Sequence, residues 1–460
     1  MSNAPTFAVL SRRQALAGAL GIGISVEFLG RKAFAAADGA METRKLVVVI
    51  CRGGMDGLSV SPPVGDPNYA VLRGPIAIPG FGQPGGALKL DDTFGLHPAL
   101  PSVHKLALKG EARIAPALAS PDRARSHFEA QDVMENGATA AYGTDSGWLN
   151  RALQVMGPGK VKAISVGATA PLILRGGVEA ASWSPGPGVG RDPRLPGILQ
   201  DLYAGDPMLS RALASGLATE AMAKVANADA TAALTDSGDM SGAMGAAGSP
   251  APAMTAPVTP APTMSPQGPD MAGATNAGGP ALQSTLRQGL PAARKLGATL
   301  AGFMIQPGGP QVAAVSIDGF DTHANQGSSQ GQLATRLAYL DAALDGLAEG
   351  MGPAWKDTAV IVVTEFGRTA HVNGTNGTDH GTGSTALLLG GALKRGGIVG
   401  DWPTLAPGKL FEARDTAPTL DMRGLFKGLL VAQYGVDRHA LDTVVFPDSA
   451  AVAPTDGIIA

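Results

Sequence analysis

Apolar residues along this chain gather into short uninterrupted runs, most of them closed by glycine and charged or imidazole residues. Residues 45–51 (KLVVVIC), 112–118, 312–317, 358–363 and 386–391 follow this pattern. Continuous apolar runs without polar alternation predict strands covered on both faces, as in a parallel sheet. Shorter runs at 161–166 and 171–175 predict two further strands. Between the runs the apolar spacing turns helical, at 99–109, from 126, from 147, and at 195–224, 282–303, 332–347 and 422–434. Alternating strands and helices predict an α/β fold, a doubly wound and mostly parallel sheet sandwiched by helices.

Two segments break the pattern. Ser11-Arg12-Arg13-Gln14-Ala15-Leu16 precedes a moderately apolar run over 17–29, and small residues then offer cleavage after Ala35 or Ala37. Paired arginines before a weakly hydrophobic core predict a twin-arginine-type signal peptide over 1–37. The expectation is a periplasmic or secreted protein whose first partner is the twin-arginine export machinery. The run is too short and interrupted for a stable membrane span. One α/β domain over 38–460 then carries an insert at 225–285, since no Lys, Arg or aromatic residue lies between Lys224 and Arg287. This Ala/Pro/Gly/Met-rich stretch buries too little to offset its ordering entropy and is expected to be disordered. Its Met240, Met244, Met254, Met264 and Met271 offer thioethers to Cu(I), though no His or Cys accompanies them.

Composition narrows the class. A net charge of −3 and a pI near 6.2 leave no basic footprint for nucleic acid. Cys51 is the single cysteine, which excludes an intrachain disulfide and a cysteine-based zinc site. No glycine-rich dinucleotide fingerprint follows a strand, which argues against a nicotinamide enzyme.

Ligands of open α/β sheets bind outside the carboxyl ends of the strands, and chemistry-bearing residues collect there. Asp56 follows the first run between glycines, in a position for a ligand or for a helix cap. Asp321 and His323 follow the 312–317 run two residues apart, so both can point one way from extended backbone. That pair suits a metal, or an Asp–His bond that orders a loop. Glu365 and Arg368 close the 358–363 run, and a Gly/Asn/Thr-rich loop then delivers Asp379 and His380. Ser126, three residues before Glu129, fits a capping box. Flanked by Arg123 and Arg125, it also fits a nucleophile at an anion-binding helix start, with His127 beside it. Mixed carboxylate and imidazole ligands suit one or two divalent ions, Zn, Mn, Ca or Mg.

GGMDGL at 53–58, RSHFEAQD at 125–132, GFDTHANQ at 319–326, TEFGRT at 364–369 and GTDHGTGS at 377–384, with GDWP at 400–403, resemble the domain-of-unknown-function 1501 family. That family is grouped with the alkaline phosphatase and sulfatase superfamily. The resemblance implies an alkaline phosphatase-like fold and an exported metal-dependent hydrolase of phosphate, sulfate or related esters, acting on a small anionic ester. It implies metal ligands at Asp56, Asp321, His323, Glu365 and His380, with Asp379 beside them, and a nucleophile at Ser126. Arg368 or Arg125 would hold the anion, and His127 or Asp379 would donate a proton or support a ligand. Glu365-Phe366 stands where the superfamily carries an Asp-His dipeptide, and no Cys-x-Pro-x-Arg segment offers a formylglycine. The rival reading is a non-catalytic secreted binding protein on a decayed hydrolase fold.

Overall fold

The long apolar runs form the strands they predict, and the strands assemble because each is apolar on both sides. The computed structural model describes residues 43–157, 161–167, 171–185, 195–236 and 289–460, so the expected signal peptide lies outside the described residues. Its strands are β1 (Lys45–Cys51), β2 (Leu88–Lys89), β3 (Gly95–Leu96), β4 (Ala112–Ala119), β5 (Ala163–Val166), β6 (Ala181–Trp183), β7 (Val312–Ile317), β8 (Thr358–Val363), β9 (Ser384–Leu389) and β10 (Leu420–Asp421). β2 and β3 pair with each other, and the rest form one sheet in the order β10-β4-β9-β8-β1-β7-β5-β6. β1 lies between β7 and β8 and is parallel to both.

Strand periodicity of two divides the central residues between two cores. Val47, Val49 and Cys51 face one layer with Val360 and Val362, against Leu106 of helix Pro101–Lys109, Leu300 of helix Leu290–Ile305 and Leu340 of helix Gln332–Met351. Leu46, Val48 and Ile50 face the other with Ile361 and Val363, against Leu149 of helix Trp148–Met156 and Leu429 of helix Met422–Tyr434. The protein is therefore α/β, a mostly parallel eight-stranded sheet with helices on both faces.

β9 departs from the parallel pattern, because it runs antiparallel to both β8 and β4. Antiparallel neighbours need no crossover helix. The chain therefore leaves β8 at the carboxyl edge, loops through residues 364–383 and enters β9 from that same edge. This reversal keeps Glu365, Arg368, Asp379 and His380 on one side of the sheet.

Three sequence boundaries move. The last expected strand begins at Ser384 rather than 386. Residues 171–175, expected as a strand, instead form a single 3-10 turn over Leu172–Leu174, closed by Arg175 N–H to Leu172 O at 2.9 Å. The helix Pro207–Asp236 carries the chain past 225, the expected start of the insert. Alanine is the best helix former, and Ala226 is small enough to lie against Gly302 of the neighbouring helix. Residues 237–288 lie outside the described residues. Among those described, no helix is long and apolar enough to cross a membrane.

Candidate metal centre

Four chain segments meet at the carboxyl edge above β1, β4, β7 and β8. After β4 the backbone stays extended at Ser126 (φ −104°, ψ 130°) and then enters the helix His127–Asn136. Helical spacing puts His127 and Gln131 on one face. Both reach the same atom, Glu365 Oε1, from His127 Nδ1 at 2.8 Å and from Gln131 Nε2 at 3.1 Å. Glu365 is fully buried and also accepts the Gly53 N–H at 2.8 Å and the Thr364 hydroxyl at 2.9 Å. Burial alone would raise its carboxyl; the bonds from His127 and its neighbours outweigh burial and hold it at about 2. Burial likewise works to lower His127, but Asp321 and Glu365 overcome it and raise the imidazole to about 9.

After β7 the loop turns against the β1 loop. Gly53 has φ +114°, and an added Cβ would lie 2.5 Å from the Asp321 nitrogen, so only glycine permits this approach. The Asp321 carboxylate lies 3.5 Å from His127 Nε2, 3.1 Å from His323 Nε2 and 3.8 Å from His380 Nε2. Burial would raise its carboxyl, but the facing imidazoles of His127 and His380 and the Arg368 guanidinium drive it well below the usual carboxylate range. His323 and His380 bring their Nε2 atoms within 3.0 Å of each other.

The outer nitrogens explain what the inner ones are for. His380 Nδ1 donates to the Arg125 carbonyl at 2.8 Å, and a carbonyl only accepts, so the neutral ring carries its lone pair on Nε2. His127 Nδ1 faces the Glu365 carboxylate in the same sense. His323 Nδ1 lies 3.5 Å from Asp379 Oδ1. Three imidazoles thus turn Nδ1 toward an oxygen and Nε2 toward Asp321. His127 Nε2 is buried and has no hydrogen-bond partner. Atoms bound to one ion at about 2 Å in a tetrahedron lie roughly 3.3 Å apart, close to the separations here. The donor atoms of His127, Asp321 and His380 all lie within 4.8 Å of one another. Imidazole with an outer oxygen partner is the usual arrangement of a metal-bound histidine. The donor set therefore fits a divalent ion.

The remaining candidates have other partners. Asp56, expected to bind metal, is 1% exposed and paired with Arg73, and accepts from Ser59 Oγ and Gln326 Nε2, each at 2.7 Å. It lies at the start of the short helix Gly57–Val60 and joins no imidazole. Glu365 orients His127 rather than joining the cluster. Asp379 is half exposed, bonded by Asn373 Nδ2 at 3.0 Å, and stands behind His323. Arg368, expected to hold substrate, is buried with its donors engaged: Nε to Gly54 O at 2.6 Å, Nη1 to Thr378 O at 2.9 Å, and Nη2 to Gly53 O and Asp321. Arg125 is held by Asp415 at 2.8 Å and by Glu412 at 2.5 Å. Ser126 makes no cap bond to the helix; its hydroxyl donates to the Glu129 carboxylate. Sequence reasoning missed His127 as a cluster member, although its place at a helix start after a strand was the available signal. It missed Arg73 altogether, and nothing in the local pattern marks that arginine as buried.

An α/β protein with three imidazoles and a carboxylate converging at the strand ends is a candidate metalloprotein. Residues 43–445 match the family described as Protein of unknown function (DUF1501), and the chain belongs to that family. No curated protein matches it. A solved structure titled "Crystal structure of Ps i-CgsB" is 10% identical, with 89% of this chain and 76% of that chain covered at a TM-score of 0.34, too distant to carry an argument.

Proposed function

We propose that this chain is an exported, metal-dependent hydrolase of phosphate, sulfate or related esters, built on an alkaline phosphatase-like fold. The observation that carries the reading is the convergence of His127, His323 and His380 on Asp321 with every outer nitrogen turned to an oxygen. These four residues would hold one divalent ion, zinc by their chemistry, and Arg368 would fix Asp321 in place. When bound, the ion supplies a Lewis acid for an ester oxygen. Ser126, between Arg125 and His127, is the nucleophile of this reading. Glu365 and Asp379 hold ring orientation and Nδ1 protons. Residues 1–37 would direct the chain through twin-arginine export to the periplasm or medium.

A specific observation also favours the binding-protein reading. Both Arg368 and Arg125 are engaged with the protein itself, which leaves neither as a free clamp for an anionic substrate. Metal content of the mature chain, purified folded without chelator, tests the first reading beside His323→Ala and His380→Ala. About one equivalent, lost in both variants, together with zinc-dependent turnover of phosphate or sulfate monoesters, supports the hydrolase. Bound zinc without turnover of any ester supports the binding protein. Absence of zinc uptake defeats both the site and the hydrolase.

A further inference from the structure

We propose that Glu129 is the general base that takes the proton of the Ser126 hydroxyl. This rests on the metal-hydrolase reading and adds to it a residue that neither the metal cluster nor its supports include. Ser126 and Glu129 have the spacing of a capping box, in which the hydroxyl would accept the Glu129 N–H. The structure has a different bond. The Ser126 side chain makes no bond to the first helical N–H groups, and its hydroxyl instead donates to Glu129 Oε2. A hydroxyl that donates to a carboxylate keeps its lone pairs free for attack, whereas a capping hydroxyl commits one to the helix.

The position of the pair supports this. Ser126 lies between two residues that are each tied to the imidazole cluster: the Arg125 carbonyl accepts from His380 Nδ1 at 2.8 Å, and His127 is a cluster member. The segment carrying the hydroxyl is therefore anchored on both sides at the site. Glu129 is half-buried, and among the described residues it has no salt-bridge partner, so no cation competes with Ser126 for it. Glu365 is committed to His127 and Gln131 and cannot serve.

The steps balance. With a phosphate ester, the Oγ–P bond forms as the P–O bond to the alcohol breaks. The serine proton passes to Glu129 and then to the departing oxygen. In the second half a water gives its proton to Glu129 and attacks phosphorus. Oγ leaves and recovers that proton, so ester and water become alcohol and phosphate.

The test uses the zinc-loaded mature chain and a fluorophosphonate probe, with which Oγ–P forms and fluoride leaves with the proton. Peptide mass mapping should find the adduct on Ser126 and none in Ser126→Ala. Glu129→Gln should slow labelling by roughly 100-fold or more, with zinc content and melting midpoint unchanged. Glu129→Asp, which keeps a carboxylate, should recover part of the rate. Labelling of Glu129→Gln at the wild-type rate overturns the inference, as does zinc-loaded wild type that labels elsewhere or not at all. Zinc measured on the same samples keeps the two readings apart. Bound zinc with labelling indifferent to Glu129→Gln removes only the base, while a chain that takes up no zinc removes the hydrolase reading and this inference with it.

Discussion

Asp56 and Asp321 follow adjacent parallel strands, β1 and β7, each in a glycine-containing loop and each beside a buried arginine. Asp56 is closed in by Arg73, Ser59 and Gln326, all of them donors. Gln326 is itself fixed through Oε1 by Thr322 Oγ1 at 2.8 Å and Thr378 Oγ1 at 2.9 Å. Asp321 has one arginine and otherwise faces imidazole nitrogens that, in the neutral rings, carry lone pairs. All three donors reach Asp56 Oδ2 and leave the buried Oδ1 without a partner, whereas acceptors gathered around a carboxylate, as at Asp321, need a proton or a cation between them. The first carboxylate is anchored by an arginine through one oxygen, and the second lies at the centre of the imidazole cluster.

The largest effect should come from breaking the buried Asp56–Arg73 ion pair. Asp56→Ala leaves the Arg73 charge buried without its carboxylate and should cost about 3–5 kcal/mol, read as a lowered denaturant midpoint. Zinc bound per folded molecule should not change. If Asp56→Ala loses the ion and keeps its stability, the contrast between the two aspartates is wrong. His380→Ala should do the reverse, removing zinc with little change in the stability of the metal-free protein. In wild type, chelation should remove about 4 kcal/mol where free zinc exceeds its Kd a thousandfold, and His380→Ala should show no such response.

Glu365 sharpens the contrast at the next level down. Glu365→Gln keeps the shape but weakens the acceptor behind His127, and zinc affinity should fall roughly 10- to 100-fold. The same pair predicts how pH acts. The folded His127 is raised from 6.5 to about 9, so its contribution to metal-free stability is complete below 6.5 and lost as pH rises through about 9. Metal binding needs the neutral ring and strengthens over that interval. The melting difference between zinc-bound and metal-free protein should therefore widen from pH 6.5 to 9, and a difference that narrows would remove His127 from the ligand set.

How much of this the sequence showed depended on the kind of information each feature needs. The strands were legible because apolar runs such as Val360–Val363 are incompatible with an exposed surface. Asp321, His323 and His380 were legible as candidates because they follow strand ends. The exchange of roles between His127 and Glu365 was not, since it depends on the phase of one helix against the end of another strand. Nor was the antiparallel entry of β9, for Leu387–Leu389 would look the same in either direction. The ion pair of Asp56 was not legible either, because a Gly-x-Asp-Gly loop states where a carboxylate is and not which cation it meets. That cation is Arg73, whose guanidinium is completely buried.

The smallest expected effect falls on Asp379, and it tests whether the supports are graded as their geometry suggests. Glu365 is fully buried and 2.8 Å from its imidazole, whereas the Asp379 side chain is 54% exposed and 3.5 Å from His323 Nδ1. Water can replace a carboxylate at an exposed position far more easily than at a buried one, so the Asp379 charge is screened. Asp379→Asn should weaken zinc binding by less than about tenfold, the low end for an outer partner of a metal-bound histidine. Asn373 should hold the loop in either case, since Asn373 Nδ2 also donates to the His323 carbonyl at 2.8 Å. Zinc titration of Asp379→Asn beside Glu365→Gln gives the comparison directly. An Asp379→Asn loss as large as that of Glu365→Gln would mean that His323 depends on its outer oxygen as strongly as His127 does, and that exposure does not weaken the support.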